Sequence, residues 1–297
     1  MVKIKCPLCH TDKSKRLLSL GNKLFPLNIS ICWECGFVFE NPRFSEAEWD
    51  NYYETDYDTF HRPLPLPDQI VKNADASSRK IAQRLKSAKV MEFASILDIG
   101  AGSGDILEYF IRENPAGSRP LAIEPSRQCQ KTLTDKNIRV LGSSLKEFRD
   151  ESPDKADLII MRHVLEHLYD PLESMRIIKG FMDHNSALYL AVPNLFSPEG
   201  GTFQFPHISY FNKTTLGLLA AKANLSALVL EEDNDEVYGI FRINGTISGT
   251  YNSNRETTLQ YLRARSEYWL IKRLKRLLTY FIPRGLLHNL LIKKRNY

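Results

Sequence analysis

Two cysteine pairs and one glycine-rich turn are where this sequence carries chemistry. Cys6-Pro-Leu-Cys9 and Cys32-Trp-Glu-Cys35 repeat C-x2-C across 22 intervening residues. Each turn aims two thiolates at one point, and two turns complete a closed tetrahedral zinc site. Such a site leaves no open position for substrate, so the zinc is expected to be structural. Gly36, behind the second pair, supplies the permissive backbone this turn needs. A redox pair would open a helix within a βαβ unit, which neither does. His10 adjoins Cys9 and could replace a ligand, but four thiolates suffice; Cys129 falls inside an expected helix as an ordinary thiol.

The second feature is Leu97-Asp98-Ile99-Gly100-Ala101-Gly102-Ser103-Gly104-Asp105. It follows an apolar run and opens a helical pattern, so backbone can approach a ligand closely at the carboxyl edge of a sheet. A dinucleotide diphosphate wants G-x-G-x-x-G and an uncharged helix entrance; here the spacing is G-x-G-x-G, and Asp105 would repel a diphosphate. Acidic residues on both sides of the glycines, Asp98 and Asp105, suit a cation carrying an ammonium and a sulfonium. Glu124, twenty residues past Gly104, ends the next strand and can accept both hydroxyls of a ribose. That spacing serves NAD and S-adenosylmethionine alike.

These residues must be held by alternating elements. Apolar runs at ILDIG, LAIEP, IRVLG, ADLIIM and ALYLAVP alternate with helical patterns, including Asp105 to Arg112 and Ser126 to Asp135. Alternation of this kind means βαβ units and a parallel sheet. LSALVLEED and EVYGIFRING, separated by Asn234 and Asp235, add an antiparallel hairpin. The fold class expected is therefore α/β: a Rossmann-like, mostly parallel sheet with a C-terminal antiparallel hairpin, preceded by a small zinc ribbon. The segments expected are a ribbon over 1–45, a helical linker and cover over 46–90, a cofactor-binding domain over 91–250 and a basic helical tail over 251–297. The ribbon holds short β pieces at Ser30–Cys32 and Phe37–Phe39, and the linker a helix from Ser77 to Lys86.

The sequence resembles a class I S-adenosylmethionine-dependent methyltransferase. The likeness rests on ILDIGAGSGDIL, AIEPS, ADLIIMRHVLEHLYDP and ALYLAVPN and covers residues 93 to 245. It implies that Asp98, Gly100, Gly102 and Gly104 shape a methionine pocket and that Glu124 holds the ribose. Ser144 and Leu145 would lie on the adenine side, and Arg162 would offer backbone at the end of the fourth strand. The whole chain is similar to zinc-ribbon-bearing small-molecule methyltransferases of sugar and polysaccharide pathways, through CWECGFVFENP, NYYETDY and FPHISYFNKTTL. The resemblance implies a nucleotide sugar or glycan intermediate as substrate. An RNA base methyltransferase and a non-catalytic cofactor-binding partner are the rival readings.

Methyl transfer to a hydroxyl or carbon acid needs a group that takes the proton, and histidine is the side chain best suited near neutral pH. His163, His167 and His207 fall where strands meet the cofactor edge. His207, with Tyr210 in the loop from Phe196 to Asn212, is expected as the base; His163 is the alternative. Glu166 and His167 are expected to hold their turn together. Tyr52, Tyr53 and Tyr57 are expected to pack beside the linker or close over the cofactor.

Charge singles out one more element. Residues 255 to 297 carry eleven Lys and Arg against Glu256 and Glu267, nine net positive charges, while the rest of the chain is net negative by four. A general nucleic-acid binder would have a basic body instead. Leu270, Leu274, Leu277, Leu278 and Phe281 share one helical face opposite Lys272, Arg273, Lys275 and Arg276, and Pro283 ends the helix before Leu286, Leu287, Leu290 and Leu291. This element packs on its own domain or a twin subunit, docks on an anionic membrane surface or binds RNA. With no signal peptide, no apolar run of spanning length and cysteines suited to metal, the expected location is the cytoplasm, with peripheral contact at the inner membrane face.

Overall fold

The computed structural model describes residues 1–21, 26–57, 68–113, 117–151, 153–197, 203–243 and 255–263. Met1–Ser253 form one compact unit and Asn254–Tyr297 a second. In the second, residues 255–263 are helical; the amphipathic pattern expected from Leu270 to Leu291 lies outside the described residues.

The larger sheet has seven strands: β4 (Ser95–Ile99), β5 (Arg119–Ile123), β6 (Arg139–Gly142), β7 (Leu158–Arg162), β8 (Ala187–Pro193), β10 (Ser226–Glu232) and β11 (Glu236–Arg242). Their order is β10-β11-β8-β7-β4-β5-β6. β8, β7, β4, β5 and β6 run parallel, and β11 and β10 close the sheet antiparallel. Every side chain of β4 is buried, as befits a central parallel strand covered on both faces. β4 has β5 on one side and β7 on the other, so strand order reverses there and a crevice opens at its carboxyl end.

The period of two along each strand splits the core. Ile96, Ala122 and Ile160 face Ile81 and Leu85 of α2 (Asp68–Ser87), Leu107 and Phe110 of α3 (Asp105–Glu113) and Leu133 of α4 (Arg127–Asp135). Leu97, Ile159 and Met161 face Met175 and Ile178 of α5 (Pro171–Gly180) and Leu216 and Leu219 of α6 (Lys213–Lys222). α5 starts where Asp170 accepts from the N–H groups of Leu172 and Glu173, with Pro171 at the first helical position. α2 begins at Asp68 rather than Ser77, directly behind the last of the prolines that bar an earlier start.

A second, four-stranded sheet contains β1 (Ser14–Gly21), β2 (Pro26–Cys32), β3 (Val38–Glu40) and, from far along the chain, β9 (Ser209–Tyr210). β1 adds to the pieces expected from sequence, since its mixed Lys, Arg, Leu and Ser run shows no strict alternation. Cys6, Leu8, Phe37 and Phe39 join the same buried cluster as Leu97 and Met161. The N-terminal sheet is thus built onto the larger one through a shared core and through β9, a strand supplied by the segment that follows β8. α1 (Glu46–Thr55) follows, opened by a capping box between Ser45 and Glu48.

Candidate functional site

The glycine turn leaves β4 with three left-handed residues, Gly100 at φ +76°, Gly102 at +58° and Gly104 at +84°. Backbone of this kind favours glycine, and at Gly100 a Cβ would also lie 2.4 Å from Val164 Cγ2. Glu124, 2% exposed at the end of β5, accepts from Gly102 N at 2.7 Å and Ser126 N at 3.0 Å. Its carboxylate therefore ties the turn to the second strand. Asp98, also 2% exposed, sits beneath the same edge. Asp105 accepts from Ser103 Oγ at 2.8 Å, with Lys136 Nζ 3.9 Å away, so its charge is partly met by the protein. Ser144 caps a 3-10 turn after β6 in which Leu145 is buried. Asp98, the glycines, Glu124, Ser144, Leu145 and the end of β7 at Arg162 thus lie on strand ends or the turns that follow them.

Cys6, Cys9, Cys32 and Cys35 converge, their sulfurs all within 4.8 Å of one another. Cys6 and Cys35 are 3.7 Å apart, and Cys9 and Cys32 3.4 Å. A zinc–sulfur distance of about 2.3 Å in a tetrahedron sets sulfurs roughly 3.8 Å apart, so this donor set fits the ion. Hydrogen bonds with Cys35 and Cys6 pull the Cys32 thiol down, and those with Cys32 and Cys35 push the Cys6 thiol up. His10 is outside this group, and Gly36 takes φ +74° behind the second pair. Cys129 is buried in α4.

A third group forms beyond the carboxyl end of β7. His207, 6% exposed, and His167 stand edge to face with ring centroids 4.8 Å apart. Glu166, 1% exposed, places Oε1 3.8 Å from His167 Nε2 and 3.9 Å from His207 Nε2. Burial pushes the Glu166 carboxyl up to about 8. Glu166 and His167, expected only to hold their turn, thus join His207. The signal was the EH pair after the fourth strand; nothing in the sequence shows that a loop forty residues on returns to it.

That loop is held by the N-terminal sheet. β9 pairs antiparallel with β3, Val38 opposite Tyr210 and Phe39 opposite Ser209, and Glu40 N donates to Ile208 O at 3.0 Å. Ile208 N in turn donates to Glu166 O at 2.9 Å. α1 lies over the same region: Trp49 Nε1 donates to His167 O at 2.9 Å, and Trp49 and Tyr52 pack on Phe205 at 5.7 and 5.0 Å. Tyr53 stacks on Tyr57 and faces the edge of His167. Lys146, on the turn after β6, pairs with Glu46 and Asp50 of α1.

His163 points its ring elsewhere. Its Nε2 lies 3.0 Å from Glu236 Oε1, and its φ of +55° is unusual for a non-glycine residue. Arg162, expected to offer backbone, also sends its guanidinium to Glu236 at 2.6 and 2.7 Å. Arg84 and Lys80 reach the other carboxylate oxygen at 3.0 and 3.3 Å. Burial opposes the charge of Glu236, but the His163 hydrogen bond and the Arg162 charge override it and hold the carboxyl well below the usual range. Neither Arg84 nor Glu236 stands in a local motif, so only the folded chain reveals this hub.

Comparison with known proteins gives these features a family. The Methyltransferase domain family matches residues 68–230, more than half of the chain. The chain is 29% identical over 114 residues to the ubiquinone biosynthesis O-methyltransferase of Rhodopseudomonas palustris strain TIE-1, covering 37% of this chain and 43% of that protein. To the same enzyme of strain HaA2 it is 26% identical over 138 residues, covering 45% and 53%. The chain thus spans about half the length of the curated relatives it matches. Among solved structures it is similar to a SAM-dependent methyltransferase from Aquifex aeolicus, with 20% identity, a TM-score of 0.46, and coverage of 59% of this chain and 98% of that one. The family match, over more than half of its residues, carries the assignment: the chain belongs to the Methyltransferase domain family.

Proposed function

We propose that the chain transfers a methyl group from S-adenosylmethionine to a hydroxyl of a small molecule. The observation that carries this reading is the buried Glu124 carboxylate bonded to the Gly102 backbone at the switch point of a methyltransferase-family sheet. Asp98, Gly100, Gly102 and Gly104 would cradle the methionine end, Glu124 the ribose, Ser144 and Leu145 the adenine, and the backbone of Arg162 the edge nearest the methyl. When bound, the cofactor supplies an electrophilic methyl whose departure leaves a neutral thioether. The protein's part is to align the acceptor oxygen with that methyl and deal with its proton. His207 is the residue we propose as catalytic, because the loop that carries it is anchored on both sides by β3 and by Glu166. His163, engaged with Glu236, shapes the edge instead. The four cysteines hold a structural zinc, which through β3 and β9 would brace the His207 loop.

The acceptor we propose is a nucleotide sugar or glycan intermediate, in keeping with the resemblance of the ribbon and linker. The curated relatives favour one second reading, a phenolic hydroxyl, since they are named O-methyltransferases of ubiquinone biosynthesis. The segment boundaries 1–45, 46–90, 91–250 and 251–297 are part of the proposal, as are a cytoplasmic location and membrane contact through the basic tail. No helix among the described residues is long and apolar enough to cross a membrane. A labelled-methyl assay against nucleotide sugars, lipid-linked glycans, phenols and rRNA tests the reading. Transfer to either small-molecule hydroxyl class supports it, and transfer to rRNA alone overturns it. His207→Ala should lower turnover by roughly 10²- to 10⁴-fold with donor affinity kept.

A further inference from the structure

We infer that Glu166, His167 and His207 bind a divalent first-row transition ion at the acceptor side of the site, a second metal site unlike the four cysteines in its chemistry. The ion's role rests on the methyl-transfer reading above; its binding does not.

The Glu166 side chain is 2% exposed, and among the described residues neither carboxylate oxygen has a hydrogen-bond partner apart from the residue's own N–H. A buried carboxylate so placed must either take up a proton or meet a cation. Two imidazole nitrogens converge on it at 3.8 and 3.9 Å, and all three ligand atoms lie within 4.8 Å of one another. A shared proton would draw carboxylate and imidazole together to about 2.7–2.9 Å. Around an ion at about 2.1 Å, three donors stand roughly 3.0–3.4 Å apart, so the observed triangle needs only a small contraction. The triangle is wider than a proton wants and close to what an ion wants.

The surroundings orient the ligands. His167 Nδ1 lies 3.2 Å from Pro206 O, and donation to that carbonyl leaves Nε2 as the lone-pair nitrogen facing Glu166. Trp49 and Ile208 fix the carbonyls of His167 and Glu166. The Gln204 amide lies 3.3 Å from His207 Nε2 and, turned about, would offer an oxygen beside the site. Two imidazoles and one carboxylate select manganese, iron, cobalt, nickel or zinc over magnesium or calcium, and three ligands leave positions open. An ion there would take the acceptor hydroxyl oxygen and lower its pKa. The proton goes to solvent, the oxygen lone pair forms the new C–O bond as the S–C bond breaks, and charge balances. An imidazole that binds the ion through Nε2 cannot also take a proton there, so with the ion bound His207 serves as a ligand, and without it as the base proposed above.

The test is electron paramagnetic resonance titration of Mn²⁺ into the full chain with its cysteines already loaded with zinc. Mn²⁺ binds most weakly of the series and does not displace zinc from thiolates, so it reports only the new site. We expect one Mn²⁺ per chain, with Glu166→Gln and His167→Ala each weakening it about 10²-fold and the exposed His184→Ala leaving it unchanged. Thermal unfolding of each variant checks that it is folded, and Glu166→Gln, nearly isosteric, guards against collapse in the histidine variant. Absence of Mn²⁺ binding, or equal binding by Glu166→Gln, overturns the site. S-Adenosylhomocysteine is titrated in parallel: its binding without Mn²⁺ overturns the metal site alone, and Mn²⁺ binding without it upholds the metal site while the methyl-transfer reading falls.

Discussion

Replacing Glu124 by Gln separates a ligand-holding carboxylate from a merely structural one. In the folded chain its two oxygens accept from Gly102 N at 2.7 Å and Ser126 N at 3.0 Å. A glutamine offers one accepting oxygen and one amino group, so whichever way it turns, one backbone N–H meets a donor. An orphaned buried donor costs about 1–3 kcal/mol, and the surviving bond loses its charge assistance, worth roughly another 1 kcal/mol. The unfolding free energy should therefore fall by about 2–4 kcal/mol. Ligand binding loses separately the charged acceptor for the ribose hydroxyls, about 1.5–3 kcal/mol, which is roughly 10- to 150-fold in affinity. Calorimetry with S-adenosylhomocysteine reads the second effect and thermal unfolding the first. Ser126→Ala is the control: it removes the cap on Cys129 N, costs about 1 kcal/mol of stability and should leave affinity alone. If Glu124→Gln unfolds earlier yet binds within threefold of the parent, the carboxylate only staples Gly102 and the ribose assignment is wrong.

Further outcomes follow from other residues. Glu236→Gln should destabilise by about 3–5 kcal/mol because Arg84 and Arg162 lose their buried counter-charge, a Tm fall of roughly 6–20 °C; a change below 1 °C in calorimetric melts would show that the hub contributes nothing. Its depressed pKa adds stability that is present above the ordinary carboxylate range and lost as acid protonates it, so the parent, but not the variant, should lose this increment at low pH. Glu40 acts in the opposite sense: burial raises it from 4.5 to about 8, so stability falls as pH rises through that window. Glu40→Gln should flatten the trend, and identical pH profiles would contradict it. Chelating the proposed zinc, or Cys32→Ser, should raise amide exchange not only across residues 1–40 but also at Tyr210, which lies opposite Val38 of β3; exchange confined to the ribbon would refute the bracing.

How much of this was legible in the sequence differs between elements. The apolar runs of β4, β5, β7 and β8 each fall in one short window, and their alternation with helices dictates a parallel sheet, so sheet and glycine turn could be read directly. The cysteine spacing likewise states its own geometry, because each C-x2-C is a local turn. By contrast, β9 is two residues long and joins β3 across more than 160 residues, a pairing that no local period encodes. The same holds for Glu236, whose strand looks like any other hairpin strand yet buries the counter-charge of Arg84 and Arg162 and the hydrogen-bond partner of His163. His207 was legible as a histidine in a loop, but its partner Glu166 was hidden because burial, not sequence spacing, brings the two together.

The central claim is that the glycine turn and Glu124 take a ribose-bearing sulfonium rather than a dinucleotide. Isothermal titration of the zinc-loaded chain with S-adenosylmethionine, S-adenosylhomocysteine and NADH tests it most directly. The account predicts one site per chain for the first two, mutual competition between them, loss of both on Gly102→Arg and no heat from NADH. Saturable binding of NADH with none of the sulfonium or its thioether would contradict it.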